Sequence, residues 1–328
     1  MVRRQPGNVF NPRRILVAGP TSIVGRRVVA ALAAGGDAVF GLARSKRSAE
    51  VVRTLGASPV PGGGLDRRQV FAAVAEVRPD IVVHHRTAFL TTPLDALRLD
   101  HAFVSRCLRE GSRNLAAAAE EHGVQRLVAQ SIAFAYRPAG PWVVDESAPL
   151  DTAARGVWGE IVSAVADAEE SALAGRNYVG VVLRHGVLYG PETDMWTDGR
   201  VSNLVRRRRL PIVGGGHGIQ SFVHIDDAAG ATLAVLDHGS GIYNVVDDRP
   251  LPAHEWVPAL ARALGAPPPR RIPGWLARPV TDENIVRALT GQRGVANARI
   301  RDELHWKPEF PDLWAGFAQL RPNVEGAA

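Results

Sequence analysis

The sequence predicts an α/β protein: a doubly wound parallel sheet flanked by helices, with a smaller carboxyl-terminal domain for substrate. Three observations carry this. Short, continuously apolar runs alternate with helical patterns over the first two-thirds of the chain, the mark of crossover units whose strands are covered on both faces. The first apolar run leads directly into a glycine-bearing turn and a helix. After Tyr189 the alternation loosens and Pro and Gly rise.

The first strand is ILVAG, Ile15–Gly19, and the helical pattern IVGRRVVAALAAGG stops at Gly35 and Gly36. AVFGLA, Ala38–Ala43, is the second strand and SPVPG a weak third. The helix DRRQVFAAVAEV leads to the strand DIVVHH, Asp80–His85. A helix from Asp100 to His122 stops at Gly123. RLVAQS, Arg126–Ser131, a helix near Val157–Leu173 and YVGVVLR, Tyr178–Arg184, complete the alternation. Beyond Tyr189 come YGPETD, PIVGGGHG and GAPPPRRIPGW, then a strand YNVVDD, Tyr243–Asp248, and a helix EWVPALARAL. This organisation implies a flexible tail over 1–12 and a main domain over 13–189 with return segments near 221–250. Residues 190–220 and 251–320 then form a substrate lid.

Composition narrows the function classes. The lone Cys107 allows no disulfide framework within one chain, which fits a reducing, cytoplasmic setting. The basic start MVRRQPGNVFNPRR lacks an apolar segment and reads as a loose tail rather than a signal peptide. No 18-residue apolar run is present, so no membrane span is expected. The net charge of +6 and the run Arg206–Arg209 raise nucleic acid as a partner. A solvated helix end explains that run without one, and no aromatic-rich binding motif accompanies it. His and carboxylates are scattered without ligand spacing, so no metal is expected.

The loop GPTSIVG, Gly19 to Gly25, sits between the first strand and its helix. There, backbone N–H groups and a helix N-terminus can meet a pyrophosphate. Gly19, Thr21, Ser22, Ile23, Val24 and Gly25 are the candidate contacts; Ser22 stands where a G-x-x-G-x-x-G loop has its middle glycine. A tight turn kept for packing is the competing reading. An acidic residue at the end of the next strand would take the ribose 2′-OH of NAD. Here Ala43 is followed by Arg44, Ser45 and Lys46, so a guanidinium is placed for a 2′-phosphate. NADP(H) is favoured over NAD(H), unless Arg44 is only a solvated loop charge.

These pieces, with PDIVVHH, GVQRLVAQSIAFAY, VVLRHGVLYGP, SFVHIDDAA, GIYNVVDD and ELHWKP, span about residues 14 to 308. In this order they resemble the extended short-chain dehydrogenases/reductases of the NAD-dependent epimerase/dehydratase group. The resemblance implies a Rossmann-like nucleotide-binding sheet, small-molecule chemistry beside a nicotinamide, and a plausible homodimer. It also implies a Y-x-x-x-K pair on the helix after the serine strand, tyrosine as acid or base and lysine lowering its pKa. The chain departs here: Asp151 to Arg176 contains no Tyr and no Lys, and Lys46 and Lys307 are its only lysines. The matching positions are Ile161 and Val165, or Val162 and Ala166 one residue on. Matching AFAY to the family's strand end puts Ile132 at the usual hydroxyl position and Ser131 one place earlier, where the pleat points it to the other side.

The remaining candidates each have a structural alternative. Tyr136 follows the strand tip as a possible acid, or packs with its hydroxyl at the rim. Ser131 is a supporting hydrogen-bonder; no G-x-S-x-G elbow suggests a hydrolase. His84, His85 and Arg86 end a strand where the cofactor's middle should pass; His85 is a possible acid or base, and His84 also reads as a core residue. The resemblance puts His185 and Tyr189 at nicotinamide and substrate contacts, against plain packing; His185, like His85, is also a candidate acid or base. Trp158 and Trp196 lie in the variable segments that would shape a substrate pocket. His224, Asp226 and Asp227 look like a helix start. Three functions are compatible with this: an NADP(H)-dependent oxidoreductase or epimerase/dehydratase on a small molecule, a redox-silent cyclase or isomerase, and a non-enzymatic NADP-binding regulator.

Overall fold

The computed structural model describes residues 12–85, 91–93, 95, 100–277 and 283–320. In chain order its first twelve strands are β1 (Arg14–Ala18), β2 (Ala38–Ala43), β3 (Ser58–Pro61), β4 (Ile81–His84), β5 (Arg126–Ile132), β6 (Val143–Val144), β7 (Val179–His185), β8 (Val187–Tyr189), β9 (Ile212–Val213), β10 (Ile219–Gln220), β11 (Phe222–His224) and β12 (Gly241–Val245). Seven of them make one sheet in the order β12-β7-β5-β4-β1-β2-β3. Every pairing in it is parallel. Pro59 and Pro61 lack an N–H for a second neighbour, which suits β3 to the edge it occupies.

The pleat sorts the apolar runs onto two faces. Ile15, Val17, Ile81, Val83, Val128 and Leu183 share a core with helices α1 (Ile23–Ala34) and, later in the chain, the helix Ile225–Ala234. Leu16, Ala18, Val82, Leu127, Ala129 and Val182 face the other way. They meet α3 (Arg67–Val77) and α4 (His101–Glu121), which follow α2 (Lys46–Thr54). The α5 helix (Gly156–Leu173) lies against α4 and over β5 and β7. Asp66 and Asp100 start α3 and α4 by accepting from the N–H three residues on, as helix caps do.

Above the carboxyl edge of the sheet lies a layer of short elements: β8 beside β11, α6 (Arg200–Arg206), β9 beside Arg271–Ile272, and β10 antiparallel to Leu251–Pro252. Its apolar side chains join the top of α5 in a single cluster that includes Ile132, Trp158, Val187, Phe222 and Trp256. Residues 298–306, which the sequence groups with the lid, return to the sheet instead. Ile300 and Trp306 are buried in the core cluster that includes α1, and Arg299 bonds both Glu303 and the carbonyl of Ile242 near the start of β12. Among the described residues no helix is long and apolar enough to cross a membrane.

Candidate active site

β1 ends at Gly19, whose φ of +87° belongs to the left-handed region that favours glycine. The turn closes with Ser22 N donating to Gly19 O at 3.1 Å. Ser22 is the N-cap of α1, its Oγ accepting from Gly25 N at 3.0 Å. A Cβ on Gly25 would stand 2.2 Å from Gly19 O, so only glycine lets the helix start this close to the strand. The Ser22 hydroxyl is thus engaged with the helix start while the residue still borders the loop. Ile23 and Val24 contribute packing: both join the core beneath α1. No acidic residue occupies the first turn of α1, so nothing there opposes an anion.

A groove runs from this loop across the sheet edge. It is lined by Gly19, Thr21 and Ser22, by Leu42, Arg44 and Ser48, by Gly62 to Gly64, and by His85. Arg44 is exposed at the end of β2. Ser45 caps α2 beside it in a reciprocal box with Ser48. These residues fit a dinucleotide: a glycine cradle at a helix start, then a cation and hydroxyls where a ribose would lie. His84 is buried inside the sheet and does not line the groove. Arg86 lies outside the described residues.

Two histidines converge at the strand ends. The rings of His85 and His185 are 6.5 Å apart. His85 Nδ1 is 3.0 Å from Gln130 Oε1, an acceptor, so that nitrogen carries the proton. Burial pushes His85 down to about 4, and burial plus the neighbouring His85 pushes His185 down to about 3. Both are neutral imidazoles at pH 7, and neither is poised to exchange protons there.

Behind this edge, on the α5 face, lies a buried ion pair that sequence reasoning did not single out. Arg184 grips Glu169 with two parallel bonds, Nε to Oε1 at 2.9 Å and NH2 to Oε2 at 2.6 Å. The third Glu169 contact is the Ser131 hydroxyl, which donates to Oε1. Arg184 NH1 donates to the Tyr136 hydroxyl at 2.7 Å, and that hydroxyl donates to Asn244 Oδ1 at 2.8 Å. All five side chains are buried. Tyr136, the candidate acid of the sequence, sits inside this network. It has no exposed surface, its proton is committed to Asn244, and burial raises it to about 12 against the pull of Arg184. Ser131 faces Glu169 on α5, away from Gln130 and His85.

The residues that the sequence matches to the usual Tyr and Lys are apolar and packed: Ile161, Val162 and Val165 are buried in the cluster between α5 and the lid, and Ala166 packs against it. Burial raises all four of the chain's tyrosines, Tyr136, Tyr178, Tyr189 and Tyr243, above the usual tyrosine value. Tyr189 is buried, its ring edge-on to Phe222, His224 and Phe317, and its hydroxyl reaches the Asp312 carbonyl at 3.3 Å. Trp158 is buried and stacks on Phe134 at 6.3 Å. Trp196 lines a separate, open polar cavity with Glu192, Arg200 and Arg209. His224 is itself the N-cap of the helix Ile225–Ala234.

A second, largely apolar cavity lies between β8 and the lid, lined by residues that include Thr92, Val187, Met195, Leu210, Gln220 and Phe222. It begins two residues after His185, and His185 pairs with Ile132 at the end of β5. Sequence patterns pointed to Tyr189, Trp158 and Trp196 for substrate; of the residues around this cavity they flagged none. Among the described residues no cluster of His, Cys, Asp or Glu is arranged to hold a metal.

Comparison with known proteins agrees with this architecture. The chain is 44% identical over 314 residues, 93% of its length and 99% of the relative's, to a 3-diazoavenalumate denitrifying reductase of a Streptomyces species. It is 26% identical over 257 residues, 77% of its length and 73% of the relative's, to 4-hydroxy-2-methyl-3-oxo-4-farnesyl-3,4-dihydroquinoline-1-oxide ketoreductase of Stigmatella aurantiaca. In fold it is similar to the dTDP-glucose 4,6-dehydratase DesIV of Streptomyces venezuelae with NAD and DAU bound. The TM-score is 0.73 at 20% identity, covering 94% of this chain and 95% of that one. The family model described as NAD dependent epimerase/dehydratase matches residues 15–245. The chain belongs to the NAD-dependent epimerase/dehydratase family of enzymes.

Proposed function

We propose that this chain is an NADP(H)-dependent reductase of a small, largely apolar molecule, working by hydride delivery without a side-chain proton relay. One observation carries the reading. The positions that the sequence matches to the family's tyrosine and lysine are the buried, apolar Ile161 and Val165, and burial moves His85, His185 and Tyr136 well away from pH 7. Such a site suits a reduction in which no proton has to be given.

Replacement of a diazonium group by hydrogen is such a reaction. When bound, the nicotinamide supplies a hydride, R–N2⁺ + H⁻ → R–H + N2. A C–H bond forms, the C–N bond breaks with its electron pair leaving on nitrogen, and no proton enters. The name of the 44% identical reductase describes a reduction of this class, and its near-complete overlap supports carrying the class over. Reduction of a carbonyl would need a proton as well.

This chain's residues hold and shield. Gly19, Ser22 and Gly25 give the pyrophosphate a close approach to the start of α1. Arg44, with Ser45 and Ser48 at the start of α2, suits a 2′-phosphate; the solved relatives were seen with NAD, so the preference rests on Arg44 and on the lack of a carboxylate at Ala43. His85 and His185, neutral and buried, keep charge and water from the reacting end. Ile132 and the lid, 190–220 with most of 251–297, close the substrate side with apolar surface.

The test is anaerobic incubation of the protein with 4-hydroxybenzenediazonium and stereospecifically deuterated [4-²H]NADPH, against a protein-free control. Nitrogen release equal to NADPH consumed, with deuterium from one face only in the new C–H bond, is the expected result. Consumption of NADPH without nitrogen, or a product without deuterium from either of the two labelled isomers, would show the reading to be wrong.

A further inference from the structure

We propose that the base of the dinucleotide lies against a wall of three glycines, Gly62 to Gly64, and is held there by shape, without a side-chain hydrogen bond, so that the site accepts NADP(H) analogues with an altered purine. This rests on the cofactor reading above and adds how the far end of the cofactor is recognised.

The strand order β4-β1-β2-β3 also orders the groove. Each strand contributes residues from just past its carboxyl end: His85 from β4, Gly19 to Ser22 from β1, Arg44 from β2 and Gly62 to Gly64 from β3. With the pyrophosphate at Gly19 and the 2′-phosphate at Arg44, the next place along the groove belongs to the base. Ala43 pairs with Pro61, so the glycines begin directly beside Arg44.

That end of the groove offers carbon and backbone. Its lining is Leu42 and the three glycines. A Cβ on Gly62 would stand 3.3 Å from Leu42 Cδ2, tighter than an ordinary contact, so glycine keeps the wall flush with that side chain. A Cβ on Gly63 would meet no atom within 4 Å, so the space beside it is open. Most of the loop's polar groups are already bonded within the protein. Gly62 N donates to Ala43 O and Gly63 N to Gln69 Oε1, both at 3.1 Å. The carbonyls of Gly63 and Gly64 accept from Asp66 N and Asn114 Nδ2, both at 3.0 Å. The Ser48 hydroxyl, which also lines the groove, donates to Ser45 O at 2.9 Å and accepts from Ser45 N at 3.0 Å. An adenine amine here meets no carboxylate or amide side chain, and removing it leaves no protein side chain unpaired.

The test is titration calorimetry of the full-length protein with NADP⁺, its deamino analogue, in which hypoxanthine replaces adenine, and its etheno analogue, whose added ring blocks the amine and widens the base. We expect wild-type protein to bind all three within about three-fold, where a lost side-chain contact to the amine would cost about ten-fold. We expect Gly63→Val, which fills the open space, to weaken the etheno analogue by about ten-fold or more relative to NADP⁺. A wild-type loss of about ten-fold or more for either analogue would overturn the proposal. An etheno-to-NADP⁺ ratio unchanged in the variant would overturn it too, by placing the base elsewhere. Should Gly63→Val fail to fold, the wild-type series decides alone. Tight NADP⁺ binding with rejected analogues sinks this inference and spares the cofactor reading, whereas failure of NADP⁺ itself to bind sinks both.

Discussion

Replacing Glu169 by Leu tests whether the buried ion pair is structural. The side chains of Glu169 and Arg184 are 7% and 5% exposed, so neither is solvated once the other is gone. The substitution removes both Arg184 bonds and the acceptor of Ser131, leaving a guanidinium with only the Tyr136 hydroxyl. Breaking a buried pair from one side costs about 3–5 kcal/mol. Replacing both partners by apolar residues of similar volume is often neutral or stabilising. Glu169→Leu should therefore lower the unfolding free energy by about 3–5 kcal/mol, and adding Arg184→Met should recover at least about half of that loss. Urea denaturation at pH 7 reads both. NADPH affinity should change little in whatever folds, since neither residue lines the groove. A single variant that loses less than about 1 kcal/mol, or a double variant no better than the single, would refute the reasoning.

Arg44→Ala should weaken NADPH by about ten-fold or more and leave NADH nearly unchanged, because it removes one charge-assisted contact to the 2′-phosphate; equal losses in titration calorimetry would count against that contact. Tyr136→Phe should cost about 1–3 kcal/mol of stability, by stripping partners from Arg184 and Asn244, yet keep turnover within about three-fold. A fall of about 10²-fold at unchanged KM would restore Tyr136 as an acid. Stability should also fall with pH. His85 sits at about 4 when folded against 6.5 unfolded, so between these values the unfolded chain takes up a proton that the folded one refuses. Its contribution, about 3 kcal/mol, is complete above pH 6.5 and lost as pH falls toward 4. Urea midpoints that do not move between pH 7.5 and 4.5 would contradict this.

Most of the fold is legible because strands covered on both faces read as unbroken apolar runs, and Gly19 and Gly25 mark a turn that only glycine permits. β3 is faint in the sequence because an edge strand tolerates Pro59 and Pro61. The site is less legible for a directional reason. Past Ile132 the chain makes a short 3₁₀ turn, Ala133–Ala135, and the two-residue period that would aim Tyr136 is lost. Tyr136 lands among Arg184 and Asn244 instead of at the rim. Glu169 and Arg184 look like ordinary isolated charges, since nothing in a linear pattern says that one meets the other across α5 and β7.

The central claim is that hydride transfer here needs no proton from a side chain, and the solvent isotope effect on single-turnover hydride transfer tests it most directly. With enzyme, NADPH and 4-hydroxybenzenediazonium mixed in H2O and in D2O, the account predicts equal rate constants, a ratio of about 1, unchanged from about pH 5.5 to 9. A ratio of about 2 or more, with the rate rising or falling across a single pKa inside that range, would contradict it.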